Sequence, residues 1–157
     1  MRLDVIEAGE GAPLVLLHGL FGQAGNFGAV QKVLAGNGRR VLALDLRNHG
    51  ASPHAAGMDY AAMAADVAET LRALGAAPAD VVGHSMGGKV AMMLALAHPG
   101  VVSRLVVVDI APVAYPPAFR PYAEAMQALP LAPGLTRKAA DAALATAVPS
   151  AGVRGFL

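Results

Sequence analysis

Residues 79–91 read Ala79-Asp80-Val81-Val82-Gly83-His84-Ser85-Met86-Gly87-Gly88-Lys89-Val90-Ala91, and three kinds of local structure follow one another in them. Residues 80–83 form a short apolar strand, Ser85 stands in a tight turn, and residues 86–98 give a mostly apolar helix that Pro99-Gly100 stops. So sharp a turn forces its central residue toward strained backbone angles. Gly83 and Gly87, two positions before and after, prevent clashes, and Gly88 lets the helix lie close to the sheet. A Gly-x-Ser-x-Gly run is short, and its strand–turn–helix setting is what gives it meaning. In that setting Ser85 is the expected nucleophile, with the free N–H groups of a helix N-terminus behind it for developing negative charge. The structural alternative is an N-capping serine in a glycine-rich turn. A phosphate loop does not fit, because there is no G-x-x-x-x-G-K-[ST] and Lys89 stands one turn into the helix.

Working outward, residues 13–18 (PLVLLH), 40–46 (RVLALDL) and 103–110 (SRLVVVDI) are continuous apolar runs, as strands buried on both faces require. Residues 3–8 alternate like an opening strand, turned by Gly9-Glu10-Gly11. A helical pattern near residues 27–34 carries Val30, Val33 and Leu34 on one side. In residues 60–74, Met63, Val67, Leu71 and Leu74 form one apolar stripe that Gly75 closes. Strands alternating with helices predict an α/β fold: a doubly wound, mostly parallel sheet with right-handed crossovers. After Pro112 the texture changes. Pro116-Pro117 breaks the chain, and three helical stretches follow near residues 119–129, 136–147 and 153–157, so regions 1–112 and 113–157 are expected.

Composition narrows the function. Hydrophobic residues make up 55% of the 157 and charged ones 15%, enough apolar side chain to build a core. Twelve basic against eleven acidic side chains form no stripe, so nothing points to nucleic acid. Without cysteine there are no disulfides, thiolate metal sites or Cys nucleophiles, and the histidines lack metal-ligand spacing. The charged, alternating opening Met1-Arg2-Leu3-Asp4-Val5-Ile6-Glu7 has no apolar core of a signal peptide, and no apolar stretch could span a bilayer. The expectation is a soluble, cytoplasmic protein with no membrane association, no cofactor and no metal.

His18-Gly19-Leu20-Phe21-Gly22 directly follows the first buried strand. A tetrahedral intermediate needs two converging N–H donors, and Met86 N–H supplies one. Leu20 N–H is the expected second, with Phe21 as the neighbouring possibility and a plain βα turn as the alternative. His18 reads as structural, bonding within its loop, more readily than as a proton carrier. In Asp45-Leu46-Arg47-Asn48-His49-Gly50-Ala51-Ser52, Asp45 and Arg47 read as a buried polar pair fixing a rim loop.

These runs, with Val107-Val108-Asp109-Ile110-Ala111-Pro112-Val113-Ala114-Tyr115, occur together and in order. Jointly they resemble the small cytosolic esterase branch of the α/β-hydrolase superfamily, which includes short-chain ester hydrolases and acyl-CoA thioesterases. The resemblance spans residues 3 to about 115 strongly and the rest weakly, as the start of a helical cap. It implies a chain that stops after the sixth strand of that fold. Asp109, at a strand end on the same sheet edge as Ser85, resembles the branch's triad acid; a buried aspartate bonding loop amides is the other reading. The family's catalytic histidine follows the last strand, and no histidine stands after His98. Of the five, His84 should point away from the Ser85 hydroxyl, while His49 or His54 could reach inward. Residues 103–110 should be an interior strand, yet nothing after them can pair with its outer edge, so self-association there and a fragment of a longer hydrolase are both expected.

The implied activity is hydrolysis of small-molecule acyl esters or thioesters through an acyl-enzyme: Ser85 the nucleophile, Leu20 and Met86 the oxyanion donors, Asp109 the acid. Met58, Met63, Tyr115, Phe119 and Met126 are candidates for an acyl pocket, or simply core. A cofactor-free haloperoxidase, a C–C hydrolase or an acyltransferase would use the same elbow. So would a non-catalytic remnant keep it.

Overall fold

The computed structural model describes residues 1–157. The chain forms strands β1 (Val5–Ala8), β2 (Ala12–Leu17), β3 (Arg39–Leu44), β4 (Ala79–His84) and β5 (Val102–Val108). Between and after them run helices α1 (Gly28–Gly36), α2 (Tyr60–Ala73), α3 (Met86–Ala97), α4 (Arg120–Gln127), α5 (Arg137–Leu144) and α6 (Ala151–Phe156). The chain divides into two compact units, Met1–Pro112 and Val113–Leu157. No helix is long and apolar enough to cross a membrane.

In the first unit the strand order is β1-β3-β2-β4-β5, with β1 antiparallel to β3 and every other pair parallel. The sheet therefore holds five strands. Each extended apolar stretch of the sequence forms one strand, and the segments that remain are helices or turns. Alternation along β2 and β3 sends Val15, Leu17, Leu42 and Leu44 to one face, against Met63, Val67 and Leu71 of α2 and Val90 and Leu94 of α3. Leu14, Leu16, Val41 and Ala43 pack on the other face, with Phe27, Leu34 and Ala35. Helices thus cover both faces of a mostly parallel sheet. Asp59 caps α2 by accepting from Ala62 N–H at 2.8 Å, and Gly75, at φ 60°, follows its end.

One sequence expectation fails here. The buried side of α1 is not the Val30–Val33 side: Val33 is 64% exposed, while Gln31 is 5% exposed. Gln31 wins the inner position because its Nε2 donates to Ile6 O (2.7 Å) and Val41 O (3.2 Å), carbonyls a valine could not satisfy. As the sequence led us to expect of residues 103–110, nothing pairs with the outer side of β5. It is an edge strand with Leu105, Val106 and Val108 exposed, because β4 is its sole neighbour. β5 also ends at Val108, earlier than its apolar run, because Asp109 turns to φ 57°.

The second unit is helical, with Thr136 and Ser150 capping α5 and α6. Arg154 lies against Asp141 at 2.8 Å, fixing α6 to α5.

Candidate active site

Register alone assembles the site. In the parallel pair β2–β4, Leu17 lies beside Gly83, so two residues further on Gly19 comes beside Ser85. In the pair β4–β5, His84 lies beside Val108, so Ser85 and Asp109 each follow the last paired residue of their strand. Ser85 N–H donates to Val108 O at 2.9 Å, carrying the ladder one step past the strand. β2 and β4 are neighbours because the connection after β2 runs to β3 on one side and the chain then crosses back to β4 on the other. A crevice at the carboxyl ends of the strands opens at such a switch.

Ser85 itself adopts φ 51°, ψ −117°, outside every well that an L-residue favours. The glycines around it are required by contact. A Cβ on Gly83 would meet the Gly87 carbonyl, one on Gly87 would lie 2.6 Å from His18 O, and one on Gly88 would lie 2.6 Å from Ile110 Cγ2. Gly19 passes just as near: a Cβ there would stand 3.3 Å from Ser85 Cβ and 3.2 Å from His84 Nδ1.

The two N–H groups competing for the second donor position have different fates. Phe21 N–H donates to His49 Nε2 at 3.3 Å. Leu20 N–H and Met86 N–H have no acceptor within the protein. The turn carrying Leu20 is closed by Gly22 N–H donating to Gly19 O at 3.0 Å.

Asp109 is 83% exposed and accepts no loop amide, which corrects the reading of it as a buried, amide-bound carboxylate. It stands at the end of an edge strand, where no neighbour covers it. Its Oδ2 lies 3.8 Å from His84 Nε2, too far for a hydrogen bond but within reach of an ion pair when that ring is protonated.

No histidine is hydrogen-bonded to the Ser85 hydroxyl. His18 is buried; its Nδ1 lies 2.8 Å from Gly19 O and its Nε2 accepts Leu46 N–H at 3.0 Å. Burial holds its imidazole below the usual pKa, and the bond to Gly19 O offsets this only in part. His49 is engaged at both nitrogens, by Arg47 O (2.9 Å) and Phe21 N–H, so it does not reach inward as a free base. His54 is exposed on the rim loop, and His98 ends α3.

The expected Asp45–Arg47 pair is corrected in its partners. Asp45 accepts Ala24 N–H (2.6 Å) and Ala51 N–H (2.7 Å), tying two loops together. Arg47 instead pairs with Asp66 at 2.5 Å and donates to Gly57 O at 3.1 Å. Burial alone would raise the Asp66 carboxyl, but the Arg47 guanidinium and the Met1 ammonium outweigh it and hold the pKa below the usual range. Sequence reading missed Asp66, although a carboxylate between Met63 and Val67 on the apolar side of α2 signals a buried partner. Met63 belongs to the core rather than to any pocket, being fully buried against the sheet.

The alpha/beta hydrolase fold family matches residues 12–147. The sn-1-specific diacylglycerol lipase ABHD11 of Mus musculus is 47% identical over 151 residues, covering 92% of this chain and 49% of its own length. Ethanol acetyltransferase 1 of Cyberlindnera jadinii is 38% identical over 105 residues, 66% of this chain and 31% of its own. Among solved structures, a marine microorganism esterase superposes with TM-score 0.93 at 35% identity, over 100% of this chain and 62% of that one. The chain spans about half the length of the lipases it matches. On fold, register and sequence, this chain belongs to the α/β-hydrolase fold family, among relatives that include lipases and esterases.

Proposed function

We propose that these residues carry the nucleophile side of a serine hydrolase acting on carboxylic esters or acyl thioesters. The reading rests on one observation above all: Ser85 is held at φ 51° against the Gly19 backbone, its N–H bonded to the carbonyl of Val108, the residue before Asp109. Ser85 Oγ attacks the acyl carbonyl, and Leu20 N–H and Met86 N–H receive the oxyanion. The alcohol or thiol leaves with a proton, and water releases the acid from the acyl-serine. Asp109, exposed and without a hydrogen bond, orients an imidazole base that none of the five histidines here provides. Val113–Leu157 serves as the start of a cap; its open concavity of about 620 Å³, lined in part by Met126, Leu129, Leu131 and Leu144, is the apolar surface it offers to an acyl chain. The similarity to an acetyltransferase leaves room for an alcohol in place of water as acyl acceptor.

A fluorophosphonate probe tests this. Labelling of the chain that vanishes in Ser85→Ala supports the nucleophile. A folded monomer that takes no label favours the second reading, a remnant without catalysis, for which the unengaged Ser85 hydroxyl speaks.

A further inference from the structure

The loop after β2 makes a demand that its sequence does not meet. In the turn from Gly19 to Gly22, Phe21 is the third residue and has φ 63°. A positive φ at that position suits glycine or asparagine, and a bulky aromatic tolerates it only where its surroundings over-determine the backbone. The restraint here is the 3.3 Å hydrogen bond from Phe21 N–H to His49 Nε2.

The tautomer of His49 follows from its other nitrogen. Nδ1 faces Arg47 O at 2.9 Å, and a carbonyl can only accept, so Nδ1 carries the proton and Nε2 presents a lone pair. His18 is arranged alike, with Nδ1 toward Gly19 O and Nε2 accepting Leu46 N–H. The two rings pack 5.0 Å apart at 56°. Arg47 is in turn held by Asp66 of α2. A continuous set of bonds therefore runs from α2 through Arg47 and His49 to the turn beside Ser85.

We propose that His49 is a positioning residue for the oxyanion donor: its Nε2 lone pair takes up Phe21 N–H, keeps the turn left-handed at that residue, and leaves Leu20 N–H as the free donor next to Ser85. This rests on the reading of Ser85 as nucleophile and Leu20 as donor. Loss of a whole oxyanion donor costs about 10²–10³-fold in turnover. Loosening one without deleting it should cost about tenfold to a hundredfold, and the cost should fall on the bond-forming step rather than on binding.

The test uses the full 157-residue chain and fluorophosphonate labelling of Ser85 followed against probe concentration. His49→Phe keeps a flat ring but offers no acceptor; its maximal labelling rate should drop at least about tenfold with the half-saturating concentration unchanged. His49→Gln, whose side-chain oxygen can accept Phe21 N–H, should recover most of that rate. Independently of labelling, ¹⁵N shifts of the wild-type imidazoles should report the Nδ1–H tautomer for His49, and the Phe21 amide should move in His49→Phe more than in His49→Gln. An Nε2–H tautomer at His49, or a wild-type labelling rate in His49→Phe, would overturn the assignment of His49 alone. A wild-type chain that takes no label even with free imidazole added as external base would overturn the nucleophile reading and with it the catalytic purpose given to His49.

Discussion

Replacing Ser85 with glycine should make the chain more stable while removing the proposed nucleophile. At φ 51°, ψ −117° an L-residue is strained, at a cost of about 1–3 kcal/mol. The mirror image of these angles lies close to the polyproline region, so glycine, which has no Cβ and no handedness, adopts them freely. Against the relief stands the greater chain entropy that glycine loses on folding, about 0.5–1 kcal/mol. The Ser85 side chain makes no hydrogen bond within the protein, so deleting it removes little else. The net gain for glycine over alanine is then about 0.5–2 kcal/mol, since alanine keeps the Cβ and the strain. For a chain of this size that corresponds to a melting shift of about 2–6 °C. Urea unfolding of wild type, Ser85→Ala and Ser85→Gly, followed by circular dichroism, measures it. If Ser85→Gly proved no more stable than Ser85→Ala, the strain attributed to the elbow would be absent, and the reading of Gly83 and Gly87 as its accomplices would need replacing.

Acidification should weaken the fold in two stages. The His18 pKa is lowered by burial, so the unfolded chain binds that proton first and stability falls as pH drops below about 6.5. Asp66 is also held low, by its cationic partners; its contribution is present above the unfolded carboxyl pKa of about 3.9 and is lost as pH falls through the lower folded value. Asp66→Ala should abolish the second stage and cost about 3–5 kcal/mol at neutral pH, because Arg47 is left buried without its partner; a loss under 1 kcal/mol would refute the pairing argument. At the other end of the sheet, we propose that β5 pairs with a second copy through its free edge, where Val106 is 52% exposed. Val106→Lys should shift sedimentation toward monomer, and a wild type that is monomeric at every concentration would remove the basis for this.

Much of the core was legible because strand and helix periods are local. Met63, Val67 and Leu71 announce a buried helix face by spacing alone, and PLVLLH announces a strand buried on both sides. The same reasoning misjudged α1. Periodicity ranks valine above glutamine for an inner position, and which of them goes inward depended on Ile6 O and Val41 O, acceptors that only pairing of β1 and β3 brings there. Arg47 was likewise recognisable as a buried charge, but its partner lies 19 residues away on a helix, and nothing local distinguishes Asp66 from Asp45 as that partner.

By itself the sequence determined the elbow: three glycines around one serine admit few backbone paths, and the strand before and helix after are set by short-range pattern. The tertiary structure decided everything that requires two separate segments to meet. Gly19 lies against Ser85, and Asp109 follows the strand next to the one that leads into Ser85, because parallel register transmits position across neighbouring strands. Leu20 rather than Phe21 keeps its N–H free because His49, 28 residues from Phe21, occupies the other. Spacing along a chain restricts which residues can share a strand or a helix face; only the order of strands in the sheet says which loops share an edge.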